Sequence, residues 1–568
     1  MAKTRMNRSK AFEKPLLFVV ILLHILVSAL IGFNRQYLFT DEVYTYGLAN
    51  SEEYSFIDPG SNPTLLNWTD GEFFKTYLQY DESKPFSFHA AFVNQANDVH
   101  PPLYYCLIHI VSFFLRNMGY SPIPGIVLNL LCIPFIDLLL YYIAKYFLGG
   151  NQGGALAVVV LWAFSASGLS NVIFIRMYWL MTLEILAVVA FHIWTIQNKW
   201  IGLVPVTEKS TPAGRLRYVT LYVMLVLLVA CGGLTHYYFY FFTAILGLCV
   251  CVYLLACKKI RLLLAYGSAL WLGVFLALAI FPATYQHIFG YRGDYATKHI
   301  GGFSAEKFRS YWGFVDQSLL GGCFWILLVI CVIAILWHIV RPAVQSCSFE
   351  KGSFCVKLCF RHTMWDKSFS LYVTPQKWLL AFVVIAVAGF CYVAIQGSAI
   401  TSSRYIYPIF PLLALFLVVL LQKVLFNIRG KSAILCVAAL ALPILSIKAY
   451  GIDWLFADFD RINPNVEALS GMDCVVICKD DVWVNVLQAI NVYVNMDEVR
   501  CVYASDIGSI GDVVAERNTD DPLCIAFYSD AHYSEDERLA YLDEILEKTP
   551  YEQYTKVYDY YTVIYQLS

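Results

Sequence analysis

Residues 14–50, "KPLLFVVILLHILVSALIGFNRQYLFTDEVYTYGLAN", join a long apolar run to two adjacent carboxylates, Asp41 and Glu42. The run at 15–33 is long enough to cross a bilayer, which takes about 20 apolar residues. A basic segment precedes it and no small-residue cleavage site follows, so we expect a retained first helix rather than a signal peptide. The acid pair is therefore expected to lie beside a membrane surface. Placing two carboxylates there has an energetic cost, so their presence needs a physical explanation.

The composition of the whole chain agrees with a membrane protein. Of its 568 residues, 59% are hydrophobic and 14% are charged, whereas soluble domains carry roughly 25% charged residues. Aromatic residues make up 16%, as expected for belts of Tyr and Trp at the membrane interfaces. The formal net charge of −2 gives no basic field for nucleic acid. We therefore predict a polytopic α-helical membrane protein that does not bind nucleic acid.

Apolar runs recur along the chain with short breaks. Eleven of them are long enough to be membrane spans: 15–33, 122–145, 154–170, 177–196, 216–234, 236–256, 262–283, 315–340, 377–396, 405–421 and 432–450. A further run at 102–118 is either a re-entrant or surface helix, or a span matched by another one. The expected total is therefore eleven to thirteen membrane helices.

Charged residues in the breaks predict the orientation. Lys and Arg cluster before the first run and in several later breaks, which the positive-inside rule places in the cytoplasm. The loop 34–100 instead holds ten Asp or Glu residues against Arg35, Lys75 and Lys84. We expect this loop to be extracytoplasmic, together with 284–314, 397–404 and the tail from 451. The N-terminus is then cytoplasmic in a multi-pass protein of the plasma membrane.

The tail has a different pattern, which divides the chain into a membrane domain, 1–450, and a small extracytoplasmic domain, 451–568. Short apolar stretches alternate with helical ones, notably 534–549 with Ser534 as its N-cap, and the C-terminal end reads as one or two strands. This alternation predicts a small α/β domain with a largely parallel sheet. A disulfide could form among four tail cysteines, although sequence does not give the pairing: Cys474, Cys478, Cys501 and Cys524.

Two acidic motifs lie at the predicted outer boundary. Asp41 and Glu42 are either a solvated loop start or a general base beside the bilayer. In "NDVHPPLYYCLIH", residues 97–109, Asp98 and His100 precede two prolines that can open a helix. Asp98 could simply cap the turn there, with His100 at the interface. Ionisable groups at a membrane are costly, so a functional role is weighed for each of them.

Basic residues lie on the same predicted side. Arg176, in "FIRMYWLMTLE" at 174–184, could bind a phosphate or extend to lipid headgroups. His236 falls in a short turn, and Arg404 precedes Tyr405 in "GSAITSSRYIYPIFPLLALFL" at 397–417. Taken together, the acids, histidines and arginines form one set at the outer boundary. Such a set suits a reaction between a lipid-phosphate donor and an outer acceptor, in which a carboxylate takes a proton and arginines hold the leaving phosphate.

The order and spacing of these motifs resemble the GT-C superfamily of membrane glycosyltransferases. The likeness covers roughly 10–450 and is strongest to the bacterial branch related to protein O-mannosyltransferases and aminoarabinose transferases. The resemblance implies a GT-C fold and a polyprenyl-phosphate sugar donor used on the extracytoplasmic side, commonly with inversion by a single displacement. The acceptor would be a lipid, a cell-envelope polymer or a protein. The tail departs from the family, because it has no β-trefoil repeat and no WWDYG motif.

The resemblance also implies roles for individual residues. Asp41 would be the catalytic carboxylate, with Glu42 as its motif partner. Donor phosphate or lipid would be bound by Arg176, Tyr178, Arg404 and Tyr405, while Asp98, His100 and His236 would support the site or the acceptor. Some relatives use a divalent metal ion, for which Asp41, Asp98 and His100 would be the ligands.

Two other functions are weighed. A transporter or flippase of lipid-linked saccharides would also need outer charges and a lipid slot, but it predicts paired repeats, and none is visible. A membrane scaffold whose tail binds a partner would make the outer charges coincidental.

Overall fold

A computed structural model of the chain describes residues 2–35, 37–52, 55–118, 121–198, 212–290, 298–299, 302–340, 344–350, 353–358, 374–425, 431–455, 466–480, 486–517, 521–528, 533–560 and 562–568. Most of these residues are helical. The helices up to the middle of the chain are α1 Ala2–Phe33, α2 Thr40–Asn50, α3 Gly71–Leu78, α4 His89–Asn97, α5 Leu103–Phe114, α6 Ile123–Phe147, α7 Gln152–Ala163, α8 Ala166–Ile173, α9 Tyr178–Gln197, α10 Pro212–Thr235, α11 Tyr238–Ala256 and α12 Ile260–Ile280.

The remaining helices are α13 Thr284–Phe289, α14 Ala305–Ser318, α15 Phe324–Val340, α16 Pro375–Gly397, α17 Phe410–Val424, α18 Lys431–Tyr450, α19 Ile490–Tyr493, α20 Ile510–Ala515 and α21 Glu535–Lys548. A 3₁₀ helix at Ser403–Ile409 precedes α17. The strands are β1 Thr69–Asp70, β2 Val344–Glu350, β3 Ser353–Leu358, β4 Asp473–Cys478, β5 Glu498–Tyr503, β6 Leu523–Tyr528, β7 Tyr554–Asp559 and β8 Thr562–Leu567.

Each of the eleven apolar runs predicted as spans contains a helix. In the described parts of the chain, nine helices are long and apolar enough to cross a membrane, and the pair α7 and α8, bent by 60°, would make a tenth. The chain is therefore an integral membrane protein. The run 315–340 is interrupted, because Gly321 and Gly322 have φ angles of 63° and 73° between α14 and α15. The run 102–118 forms α5, whose 12 residues are too short to span.

The chain forms two compact units. The first contains Met1–Ser28, Leu130–Val172 and Met177–Asp453, and the second contains Ala29–Asn129, Ile173–Arg176 and Trp454–Ser568. The first unit holds most of the long helices, with α10 packed on α12 and α11 packed on α16. The division into a membrane domain and an external domain at residue 450 stays a prediction.

The second unit is built on a six-stranded sheet with the order β1-β5-β4-β6-β8-β7. Strand β4 runs parallel to β5 and β6, whereas the other pairings are antiparallel. The predicted parallel sheet is thus correct only for β5, β4 and β6, since the outer strands β1, β8 and β7 are added in antiparallel pairings. Helix α21 begins as predicted at Ser534, whose hydroxyl accepts a hydrogen bond from the Glu537 N–H.

The four tail cysteines are free thiols buried in this sheet region. Cys474 on β4 lies opposite Cys524 on β6 in the parallel register. Burial raises the pKa of the Cys474 thiol well above its usual value. These thiols therefore act as small core side chains, not as the disulfide that the sequence left open.

Candidate functional site

The two adjacent acids at the start of α2 lie in different surroundings, beginning with Glu42. The Arg35 guanidinium pairs with both Glu42 oxygens, and neither side chain is exposed to solvent. The backbone N–H groups of Phe39 and Ile175 each donate to the same carboxylate at 2.8 Å. Four donors thus engage Glu42, which ties the start of α2 to the segment 173–176. A carboxylate held in this way is a structural anchor.

Asp41, one residue earlier, is only partly buried. It lies in the first turn of α2, where the partial positive charge of a helix N-terminus stabilises an anion. Its backbone oxygen accepts hydrogen bonds from the Arg176 Nη1 at 3.1 Å and from the Thr45 hydroxyl at 3.0 Å. Neighbouring side chains on a helix point about 100° apart, since 3.6 residues make a turn. Burial of Glu42 is therefore compatible with solvent access at Asp41.

Arg176 is the centre of the polar contacts around Asp41. Its side chain is only 5% exposed. Besides the Asp41 carbonyl, Nη1 donates to the Tyr105 hydroxyl at 2.9 Å and to the Thr45 hydroxyl at 3.3 Å. Its Nη2 lies 3.5 Å from the His100 Nε2. Arg176 thus connects α2 and α5 to the Asp-His motif that precedes α5.

Asp98 and His100 form an ion pair, with 2.8 Å between the Asp98 Oδ2 and the His100 Nδ1. The two side chains keep 15% and 23% of their surface exposed. Burial lowers the pKa of His100 against the opposing effect of Asp98, and Arg176 lowers it further. Burial would raise the pKa of Asp98, but His100 and Arg176 outweigh it and the net shift is downward. The pair is therefore best described as an ionised carboxylate that accepts from a neutral imidazole.

The first unit collects the other four predicted site residues. The Arg404 guanidinium lies over the Tyr405 ring at 5.3 Å, and Tyr405 contacts the Tyr178 ring with centroids 6.1 Å apart. The Tyr178 and His236 rings are 5.4 Å apart. Arg404 is 7% exposed, as is His236. These residues come from α9, from the turn between α10 and α11 and from the 3₁₀ helix, so the fold brings together an arginine, a histidine and two tyrosines from three separate segments.

The predicted site residues thus form two groups, one in each unit. The second unit brings together Asp41, Glu42, Asp98, His100 and Arg176, and the first brings together Tyr178, His236, Arg404 and Tyr405. Sequence reasoning missed Arg35, whose signal was its position seven residues before Glu42 in a loop that is otherwise acidic. It also missed Tyr105, which sits in the quoted motif, and Asp453, which has no local signal.

The predicted metal ligands were tested against this geometry. Among the residues with described positions, no group of three or more His, Cys, Asp or Glu side chains could hold a metal ion. Asp98 and His100 are paired with each other, and Arg176 places a positive charge beside His100. Asp41, Asp98 and His100 therefore do not fit a metal as placed here, and we derive no step through one.

No protein-family model and no curated protein matches the sequence. Among solved structures, the chain is similar to ArnT from Cupriavidus metallidurans bound to undecaprenyl phosphate, with a TM-score of 0.48, 13% identity and 97% of each chain covered. The apo state of the same protein gives 0.47, 13% and 98% of each chain. The Archaeoglobus fulgidus oligosaccharyltransferase in the apo form gives 0.44 and 11%, covering 85% of this chain and 64% of that chain.

The likeness to ArnT and to the oligosaccharyltransferase has TM-scores below 0.5 and identities of 13% or less. At these identities and TM-scores we take nothing about substrate or mechanism from them. The functional roles that follow are based on the residues of this chain.

Proposed function

We propose that this protein is a glycosyltransferase that moves a sugar from a polyprenyl-phosphate donor to an extracytoplasmic acceptor. The observation that carries the proposal is the separation of the acid pair. Glu42 is fully buried and paired with Arg35. The Asp41 side chain is partly exposed, and its backbone carbonyl is held by hydrogen bonds from Arg176 and Thr45. A fixed, partly exposed carboxylate can come within hydrogen-bond distance of an acceptor hydroxyl, which is the geometric requirement for a general base.

In the proposed reaction the Asp41 carboxylate takes the proton of an acceptor hydroxyl. The acceptor oxygen then forms a bond to the anomeric carbon of the sugar, and the bond from that carbon to the phosphate oxygen breaks. The electron pair of the broken bond leaves on polyprenyl phosphate, which gains negative charge. A single displacement of this kind inverts the anomeric centre.

The remaining residues receive roles according to their contacts. Arg404 stabilises the charge on the leaving phosphate, a task for which a guanidinium is suited, and Tyr178, Tyr405 and His236 shape its surroundings. The sequence assigned Arg176 to the donor phosphate. Because its Nη1 already donates to three acceptors inside the second unit, Arg176 is better suited to holding Asp41 in position. The same applies to Glu42 and Arg35, which fix the start of α2. Asp98 and His100 support the acceptor side.

The membrane topology and the binding partners that we infer from the sequence are part of the proposed function. The N-terminus is cytoplasmic, and the acid motifs and the tail are extracytoplasmic. The partners are membrane lipids, the lipid-linked donor and an acceptor that is a lipid, a cell-envelope polymer or a protein. A divalent metal ion is implied only by the family resemblance, since Asp41, Asp98 and His100 do not fit one, and addition of a chelator to the transfer reaction tests whether it is needed.

The test is transfer by the purified protein in detergent. The protein is incubated with polyprenyl-phosphate donors labelled in the sugar and with an extract of envelope lipids, polymers and proteins. We expect label to move into an acceptor fraction with release of polyprenyl phosphate. Detergent removes the two compartments that a transporter needs, so a transporter would give no product here. It would instead move intact labelled donor across reconstituted vesicles, and that result would overturn the proposal.

A further inference from the structure

Asp453, just after α18, accepts hydrogen bonds from three hydroxyl groups. Its Oδ2 accepts hydrogen bonds from the Tyr407 hydroxyl at 2.6 Å, the Ser403 hydroxyl at 2.9 Å and the Tyr450 hydroxyl at 3.0 Å. Hydrogen bonds from a hydroxyl to a carboxylate are shorter and roughly twice as strong as neutral ones. Three of them on one oxygen make Asp453 a strong attachment point.

The carboxylate is itself fixed through its backbone. The Asp453 N–H donates to the Ser170 hydroxyl at 2.9 Å, which links it to α8. Asp453 is therefore attached to α8 within the first unit. A carboxylate that is held in place orients the side chains that donate hydrogen bonds to it.

Two of its three partners belong to the 3₁₀ helix Ser403–Ile409. Ser403 and Tyr407 are 4% and 1% exposed, and Arg404 and Tyr405 lie between them in the chain. A 3₁₀ helix has poorer hydrogen-bond geometry than an α-helix and is used only in short pieces. Its orientation therefore depends on contacts such as those to Asp453. The third partner, Tyr450, lies on α18 and has no part in this segment.

We propose that Asp453 is a positioning residue that holds Arg404 and Tyr405 in place to bind the donor phosphate. The inference rests on the proposed function, because it concerns the phosphate role of Arg404. Asp453 does not touch the reacting atoms, so its loss should act through Arg404, weakening donor binding and slowing the departure of the phosphate. The sequence motifs gave no role to Asp453.

The test compares donor KM and kcat for Asp453→Asn, Tyr407→Phe, Ser403→Ala and the control Tyr450→Phe. Asp453→Asn keeps the shape of the side chain but removes the charge that strengthens all three hydrogen bonds. We expect it to raise the donor KM and to lower kcat/KM for the donor about tenfold, the effect of losing charge-assisted hydrogen bonds, because Arg404 both binds the donor phosphate and stabilises its charge as it leaves. Tyr407→Phe and Ser403→Ala should raise KM in the same direction. Tyr450→Phe removes a hydroxyl from the same carboxylate without touching the 3₁₀ helix, so its KM should stay at the wild-type value.

Equal KM values for all four variants and the wild type would overturn the inference. It would also be overturned if Tyr450→Phe raised KM as much as Tyr407→Phe, since that would indicate a general structural role. A second measurement needs no turnover: the rise in Tm on adding polyprenyl phosphate, expected for the wild type and smaller in Asp453→Asn at the same ligand concentration. A wild type that shows neither transfer nor this rise contradicts the proposed function. A wild type that shows both while Asp453→Asn keeps the full rise contradicts only the role of Asp453.

Discussion

Asp41 and Glu42 differ in what surrounds them, although they are neighbours with the same chemistry. Glu42 satisfies its charge with Arg35 and two backbone N–H groups inside the second unit. Asp41 keeps part of its surface accessible while Arg176 holds its backbone. The local sequence predicted an acid pair, but it could not divide the roles because Ile175 and Arg176 are more than 130 residues away.

A first prediction concerns the Arg35–Glu42 pair. Arg35→Ala leaves the Glu42 charge buried without its guanidinium, and breaking a buried pair from one side costs about 3–5 kcal/mol. We expect a large fall in Tm of the detergent-solubilised protein. Lys75→Ala is the matched control, because Lys75 pairs with Glu72 while the two side chains are 36% and 65% exposed, and solvent-accessible pairs contribute little. Similar Tm values for the two variants would contradict the structural role of Glu42.

A second prediction concerns pH and the Asp98–His100 pair. Burial lowers the pKa of His100 in the folded protein, so the unfolded chain binds this proton first as the pH falls. The stability contributed by the neutral imidazole is complete above the unfolded pKa, about 6.5. It declines as the pH falls from there toward the lower folded pKa. His100→Gln should therefore flatten the loss of Tm below about pH 6.5.

Asp98 has a lowered pKa as well, so the stability from its carboxylate is present above about pH 3.9 and is lost at lower pH. The two contributions are thus separated on the pH axis. Within this pair only the imidazole titrates between about pH 4.5 and 8, and the difference between the wild-type and His100→Gln profiles removes the contributions of other groups. A His100→Gln protein with the same pH profile as the wild type would show that His100 is not held neutral.

At the scale of single elements, hydropathy predicted the membrane helices well. A helix closes its own hydrogen bonds, so an apolar run and its flanking charges suffice to place it. Strand pairing is different, because the partner strand is chosen by the whole fold. The antiparallel edges of the tail sheet could not be read from local patterns for this reason, nor could the hairpin of β2 and β3. The capping motif at Ser534 was readable because it is completed within four residues.

Helix α2 provides a third prediction, at Gly47. A Cβ at this position would lie 2.0 Å from the Tyr77 ring, and the Tyr77 hydroxyl donates to the Ser55 carbonyl at 2.9 Å. Helix propensity alone favours Ala over Gly by about 1 kcal/mol, whereas overpacking a core costs about 1–3 kcal/mol. The clash with a buried ring should win, so Gly47→Ala should lower Tm.

Gly267→Ala is the control for this prediction, since a Cβ at Gly267 in α12 meets nothing within 4 Å. It should leave Tm unchanged or raise it slightly. If Gly47→Ala also raised Tm, the close packing of Tyr77 on α2 would be wrong.

At the scale of the whole molecule, the loop 34–100 and the tail fold together within the second unit. Strand β1 of the loop pairs with β5 of the tail, and the Leu38 backbone exchanges two hydrogen bonds with the Asn491 side chain. Trp454 stacks on Phe174 with ring centroids 4.1 Å apart. These contacts join segments more than 250 residues apart, which is why the sequence predicted the loop and the tail as separate features.

A fourth prediction follows from this joint folding. A chain that ends at residue 453 loses the sheet partners of β1 and the side chain that anchors Leu38. We expect its loop 34–100 to be cut rapidly in limited proteolysis and its transfer activity to be lost, while helices of the first unit resist cleavage. A truncated chain with a protected loop would contradict the joint fold.

The central claim is that Asp41 is the catalytic base, and the most direct measurement is the transfer rate of Asp41→Asn at saturating donor. Asn keeps the shape and the backbone contacts of Asp41 but cannot accept the acceptor proton. We predict a fall of about 10²- to 10⁴-fold, the usual contribution of a general base, with an unchanged Tm. Glu72→Gln, which removes a well-exposed carboxylate of the same loop, should keep the wild-type rate. An Asp41→Asn protein that is folded and transfers sugar at the wild-type rate would contradict the claim.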